Sequence, residues 1–130
     1  MSIKKAQSAI ELVILVSVML FLFASMLAVF QQDLQKKAEE KRSLEIQGLA
    51  LQIQSEISIA ATASNGYQRT FNIPQTIINE DYNISIVANS IYLETEDKKH
   101  AISLEIQNVT GEITKGDNII RKTAGIVYLN

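Results

Sequence analysis

The group with the most pointed chemistry in this chain is the carboxylate of Glu11. It stands one residue ahead of nineteen uncharged residues, Leu12 to Phe30. A carboxylate at the edge of hydrocarbon is costly and marks a functional group. Two cations precede it, Lys4 and Lys5, followed by the small residue Ala6 and by Gln7. A cut between Ala6 and Gln7 would create an α-amino group four residues from Glu11. In a bundle of such helices, the carboxylate of one chain could pair with the ammonium of its neighbour. An unpaired charge in apolar surroundings is far more expensive than a paired one, so the pair would favour one axial offset. The bland reading is a glutamate that snorkels to the interface without a partner, and spacing leaves both open.

Other polar groups suggest less. There is no cysteine, which removes disulfides and thiolate sites, and the single histidine removes multi-histidine metal sites. His100 follows two lysines, which predicts a solvated turn residue. Glu94, Glu96 and Asp97 could touch a calcium ion, but they lack the EF-hand spacing and read better as a solvated turn. Lys115-Gly116-Asp117-Asn118 is a turn signal without the phosphate-loop pattern. No nucleophile–base pair stands out, so catalysis and a cofactor are not expected. Asn83-Ile84-Ser85 and Asn108-Val109-Thr110 are glycosylation sequons, which matter only outside the cell. With a net charge of −2 and interspersed signs, a nucleic-acid partner is not expected.

A hydrocarbon core of roughly 30 Å takes about 20 apolar residues in a helix, so Leu12–Phe30 is long enough to span it. Lys4 and Lys5 favour a cytoplasmic N-terminus, a bias weakened by Lys36, Lys37, Lys41 and Arg42 beyond the run. The run reads in three ways: a signal peptide cut after it, a plain anchor, or a segment kept on the mature chain after a cut before Gln7.

From Gln31 to about Ala63 the chain is rich in helix formers, with no proline and one glycine, Gly48. Asp33 with Lys37 and Lys41 with Glu45 are at salt-bridge spacing. Ile46, Leu49, Ile53, Ile57 and Ala60 form one apolar stripe. This predicts one helix from near Ser8 to near Ala63, its second half packed on the protein's own sheet rather than in a partner's groove. Asn65-Gly66 supplies a left-handed stop. Period-two segments then follow: Tyr67–Ile73, Tyr82–Ile86, Ile91–Glu94, His100–Ile106 with Ile113, Asn118–Lys122 and Gly125–Leu129. Pro74 is expected at a turn or strand end between the first two strands, with turns at Asn89-Ser90, over Glu96–Lys99 and at Thr123-Ala124-Gly125. The fold class is α+β, a long helix on a small, mainly antiparallel sheet.

Lys-Lys-Ala followed by Gln7-Ser8-Ala9-Ile10-Glu11 and an apolar helix resembles the archaeal type IV pilin-like proteins with class III signal peptides. Their pattern is roughly Gln-x-Ser-x-Glu-x-x-x-Leu. Gln7, Glu11 and Leu15 are in register, with Ala9 where serine is usual. Gly66-Tyr67, Ile73-Pro74, Tyr82-Asn83-Ile84 and Gly125-Ile126-Val127-Tyr128 resemble, more loosely, landmarks of the family's head domains. The resemblance implies that a prepilin peptidase removes residues 1–6. It implies residues 7–30 as a membrane-spanning helix that becomes the filament core, 31–63 as its amphipathic continuation and 64–130 as a β-rich head. It further implies identical subunits in a helical homopolymer, an assembly ATPase and a platform membrane protein. The precursor would lie in the cytoplasmic membrane and the filament at the cell surface, for adhesion. Glu11 favours a pilus over an archaellum, whose subunits commonly lack that glutamate. The rival expectations are a minor subunit or single-pass anchored binding module, and a small secreted enzyme.

Overall fold

In a computed structural model of the chain, residues 2–130 are described, with side chains from Gln7 onward. The expectations for Lys4, Lys5 and Ala6 concern side chains outside the described residues.

One helix, α1, runs Ser2–Thr62. Its residues explain its length: proline is absent and Gly48 is the only glycine within it. The chain divides into two compact units, one ending at Glu39 and the other spanning Glu40–Asn130. In the first unit every described residue, Gln7 to Glu39, is exposed. In the second unit the predicted stripe is buried in full: Ile46, Leu49, Ile53, Ile57 and Ala60, joined by Ala50.

Seven strands follow: β1 Gln68–Ile73, β2 Tyr82–Val87, β3 Ser90–Thr95, β4 Ala101–Glu105, β5 Val109–Gly111, β6 Gly116–Thr123 and β7 Ile126–Leu129. They form two sheets, not the single sheet expected. The smaller is the meander β2-β3-β4, antiparallel throughout. The larger has the order β1-β6-β7-β5 and is mixed, because β5 pairs with β7 in parallel. The helix stripe and both sheets share one core. Phe71 and Ile73 of β1, Tyr82 of β2, Ile91 and Leu93 of β3, Ile120 of β6, and Val127 and Leu129 of β7 all enter it. Each alternates with exposed or half-buried neighbours, as a one-face-buried strand requires. A fully buried isoleucine such as Ile53 is worth about 1.5–3 kcal/mol relative to exposure.

Several local expectations change. Ile113 is buried in the β5–β6 link rather than in a strand. The β2–β3 turn is centred on Ala88-Asn89, one residue earlier than expected. Both residues have positive φ (48° and 62°), as a two-residue turn that matches strand twist demands. Ala124-Gly125 closes β6–β7 in the same way, at 51° and 82°. Gly66 adopts φ +94° in the turn before β1, but it does not cap the helix. Instead Lys122 of β6 donates from Nζ to the carbonyls of Ala61 (2.6 Å) and Ala63 (2.8 Å). A cation there offsets the negative helix end. Main-chain bonds from Gly66 N to Lys122 O and from Lys122 N to Tyr67 O, each 2.9 Å, fasten the same joint. Gly111 is obligatory: a Cβ there would lie 2.0 Å from the Leu129 carbonyl oxygen across the parallel pair.

Candidate functional site

The first unit carries Glu11 and the apolar run that follows it. Glu11, Ile14, Leu15, Val18, Met19 and Leu22 line one shallow groove along a single helix face. Their steps of three and one residues keep them on that face. Glu11 heads an otherwise apolar strip. One of its oxygens accepts a hydrogen bond from the Gln7 side-chain amide, at 3.3 Å and one turn earlier. Leu15 is 55% exposed, and the surrounding residues Ile10, Leu12, Phe21, Phe23 and Phe30 are between 60% and 72% exposed.

A helix that presents this much apolar surface must satisfy its polar groups internally if it is to sit in lipid. Two serines interrupt the run, and both do so. The Ser17 hydroxyl donates to the Val13 carbonyl at 2.7 Å, and that of Ser25 to the Phe21 carbonyl at 2.8 Å. The helix is long and apolar enough to cross a membrane, with a mean hydropathy of 2.9 over its most apolar window.

Past the apolar run, the expected Asp33–Lys37 pair is not among the ion pairs of the described residues. Lys41 and Glu45 do approach, at 4.0 Å on an exposed surface where such a pair contributes little. Among the described side chains of the helix, Arg42 is the first to be half-buried. It bonds the Glu80 carboxylate and lies 3.9 Å from Asp97.

The carboxylates weighed for calcium do not converge as a set. Glu96 and Asp97 line a cleft with Glu80 and Asp81, whereas Glu94 does not. The chain's own donors engage most of these groups. Hydrogen bonds from the Thr95 hydroxyl (2.6 Å) and the Lys99 main-chain N–H (3.1 Å) lower the Asp97 pKa, helped by the charges of Lys99 and Arg42. The bond from Lys115 is the main cause of the lowered Asp81 pKa, followed by the Tyr82 main-chain N–H. The Lys115 ammonium also lies 4.6 Å from the centre of the Tyr82 ring. Tyr82 itself is buried and donates to the Pro74 carbonyl. Burial, and then the Asp81 charge, push its pKa up to about 12.

His100 differs from expectation. It is half-buried beside Ser43, Ile46 and Gln47 of the helix, and its Nε2 is enclosed without a hydrogen-bond partner. The cause is the tight β3–β4 connection. The His100 main-chain N–H donates to the Thr95 hydroxyl at 3.2 Å, and its carbonyl accepts from Thr95 N at 2.9 Å. That closure draws the ring toward the helix.

Asn118, read both as the end of a turn signal and as the start of a strand, lies in β6 and in the core with all its polar atoms engaged. Its amide donates to Thr114 O (2.6 Å) and Gly116 O (3.0 Å), and its oxygen accepts from Thr114 N (2.9 Å) and the Asn130 amide (3.0 Å). Glu56 is also buried. Arg69 sits 3.5 Å from its Oε2 without an aligned hydrogen bond, an ion pair of attraction alone. The sequon asparagines are both exposed, Asn83 in β2 and Asn108 just ahead of β5. Among the described residues, no three histidine, cysteine or acidic side chains group as a metal site.

No curated protein and no solved structure matches the chain. A family of unknown function, DUF7266, matches residues 4–125.

Proposed function

We propose that this chain, which belongs to DUF7266, is the precursor of a structural subunit of a type IV pilus-like surface filament. A prepilin peptidase cuts between Ala6 and Gln7. The apolar helix first holds the subunit in the cytoplasmic membrane. Polymerisation then moves that surface from lipid to the helices of identical subunits, with the β-rich unit outward. An assembly ATPase and a platform membrane protein drive the transfer, and adhesion is the purpose.

One observation carries the reading. The whole described part of the first unit is exposed, and its apolar face is headed by a carboxylate with one oxygen bonded to Gln7. An anchor needs the apolar surface but not the carboxylate. A polymer uses both. In lipid there is no hydrophobic drive between helices, so contact shape and polar pairing decide which helices associate. The Gln7 ammonium of a neighbouring subunit would pair with Glu11 and fix the axial offset.

N-terminal sequencing of the surface material tests the processing step. A chain beginning at Gln7 is expected. A chain beginning at Met1 or beyond Phe30 overturns the reading and favours an anchored binding module or a secreted protein. Glu11→Ala tests assembly: membrane insertion and processing should persist while filament yield falls at least tenfold. Normal filaments from that variant would remove the role given to the carboxylate.

A further inference from the structure

We propose that Asn83 and Asn108 carry N-linked saccharides, and that the two occupy a single seam between the sheets. The inference rests on the external placement of the β-rich unit proposed above. In each sequon the asparagine and the hydroxyl residue are exposed and the residue between them is half-buried: Asn83, Ile84, Ser85 and Asn108, Val109, Thr110. An extended backbone puts residues i and i+2 on one face. Each asparagine is therefore presented outward beside the hydroxyl a transferase must recognise.

The topology adds what a motif cannot. β2 is an edge of the smaller sheet, and β5 is an edge of the larger one. These two edges border one cleft of about 210 Å³, lined by Ile84, Ser85 and Ile86 from one side and Gly111, Glu112 and Ile113 from the other. The hydroxyl residue of the first sequon lines the cleft. The second sequon ends one residue before it. Sites 25 positions apart in sequence thus flank one seam. Asn89 is exposed too, but Ile91 stands where the hydroxyl is required, so it is an internal control.

The step requires a lipid-linked saccharide phosphate as donor. The asparagine Nδ2 bonds to the anomeric carbon and gives up one proton to the transferase's base. The anomeric carbon–oxygen bond breaks, and the lipid phosphate departs with its electron pair. No oxidant or reductant enters. Saccharides placed here would cover two strand edges that otherwise offer unpaired N–H and C=O groups to another chain. In a filament this seam would face solvent, not a neighbouring subunit.

Mass spectrometry of the native surface protein after tryptic digestion tests the proposal. Asn83 lies in the peptide Thr70–Lys98 and Asn108 in His100–Lys115. Both peptides should carry added saccharide mass, localised to Asn83 rather than Asn89 in the first. Ser85→Ala should strip the mass from the first peptide alone, and Thr110→Ala from the second alone. An unmodified mass on either native peptide overturns the shared seam. Filaments bearing unmodified peptides would sink this inference and leave the filament reading standing. A surface chain that starts at Met1, forms no filament and carries both saccharides would do the reverse.

Discussion

Residues 12–30 and residues 46–60 are two stretches of one apolar-rich helix, and the fold treats them in opposite ways. The first has no buried residue; the second loses Ile46, Leu49, Ala50, Ile53, Ile57 and Ala60 from solvent. Pattern accounts for the difference. In 12–30 apolar residues surround the helix, leaving no polar face to turn toward water. In 46–60 most of them hold to one face, while Gln47, Gln52, Ser55 and Ser58, with the exposed Leu51 and Ile59, take the other. The polar groups divide along the same line. Gln7, Ser17 and Ser25 find partners within their own helix, one turn away. Arg42, Lys122 and Asn118 find theirs across tens of residues or through a folded loop. The first stretch is self-sufficient in a solvent without hydrogen bonds, and the second is stable only with its sheets.

That contrast can be broken from either side. The largest effect is expected from Ile53→Ala, which opens a cavity at a fully buried position. It should cost about 2–5 kcal/mol of stability in the second unit, read by chemical denaturation of the full chain in detergent. Membrane partitioning should be unchanged; loss of both would mean that the two stretches do not act separately. Next comes Leu20→Arg, in the exposed apolar run. A charge near the helix centre costs about 2.5–3.5 kcal/mol on insertion. The membrane-bound fraction should fall while the denaturation midpoint of the second unit holds, and an unchanged membrane fraction would refute a spanning role. The smallest effect is alkaline. Folding raises the Tyr82 pKa from 10 to about 12, so its neutral hydroxyl is favoured in the native state. The stability this gives is complete below pH 10 and is lost as pH rises toward 12. Tyr82→Phe should flatten that alkaline decline, and an unchanged decline would assign it to another group.

The sequence made one half of the comparison easy to read and the other only partly so. Periodicity placed the helix and its buried stripe, because 3.6-residue spacing is a property of neighbours. It also placed most strands and the turns at Glu96–Lys99 and Ala124-Gly125. It missed β5, whose three residues are too few to show alternation and whose parallel partner lies well downstream. The division into two sheets was hidden for the same reason of distance, since it rests on β1 pairing with β6 across the whole β2-β3-β4 meander. Lys122 as the helix cap was equally hidden, since the carbonyls it reaches lie 61 and 59 residues away. His100 was misplaced because its charged neighbours suggested water while the β3–β4 closure drew it inward; Asn118 was placed in a strand, but its burial was not anticipated. At the candidate site, Glu11, Gln7 and Leu15 were legible as a set because all lie within nine residues of helix. The bond between Gln7 and Glu11 follows from the same spacing and was not anticipated.

The joint at Lys122 also defines a load path. β6 lies inside the larger sheet, with β1 on one side and β7 on the other. Lys122 grips the last turn of the helix with its ammonium and the following turn with its main chain. Tension arriving along the helix therefore reaches the interior strand β6 through Lys122 as well as the border strand β1 through the main chain, so the load is shared between two paired strands. In the filament proposed above, that joint would keep a pull on the helix from falling on the border strand alone.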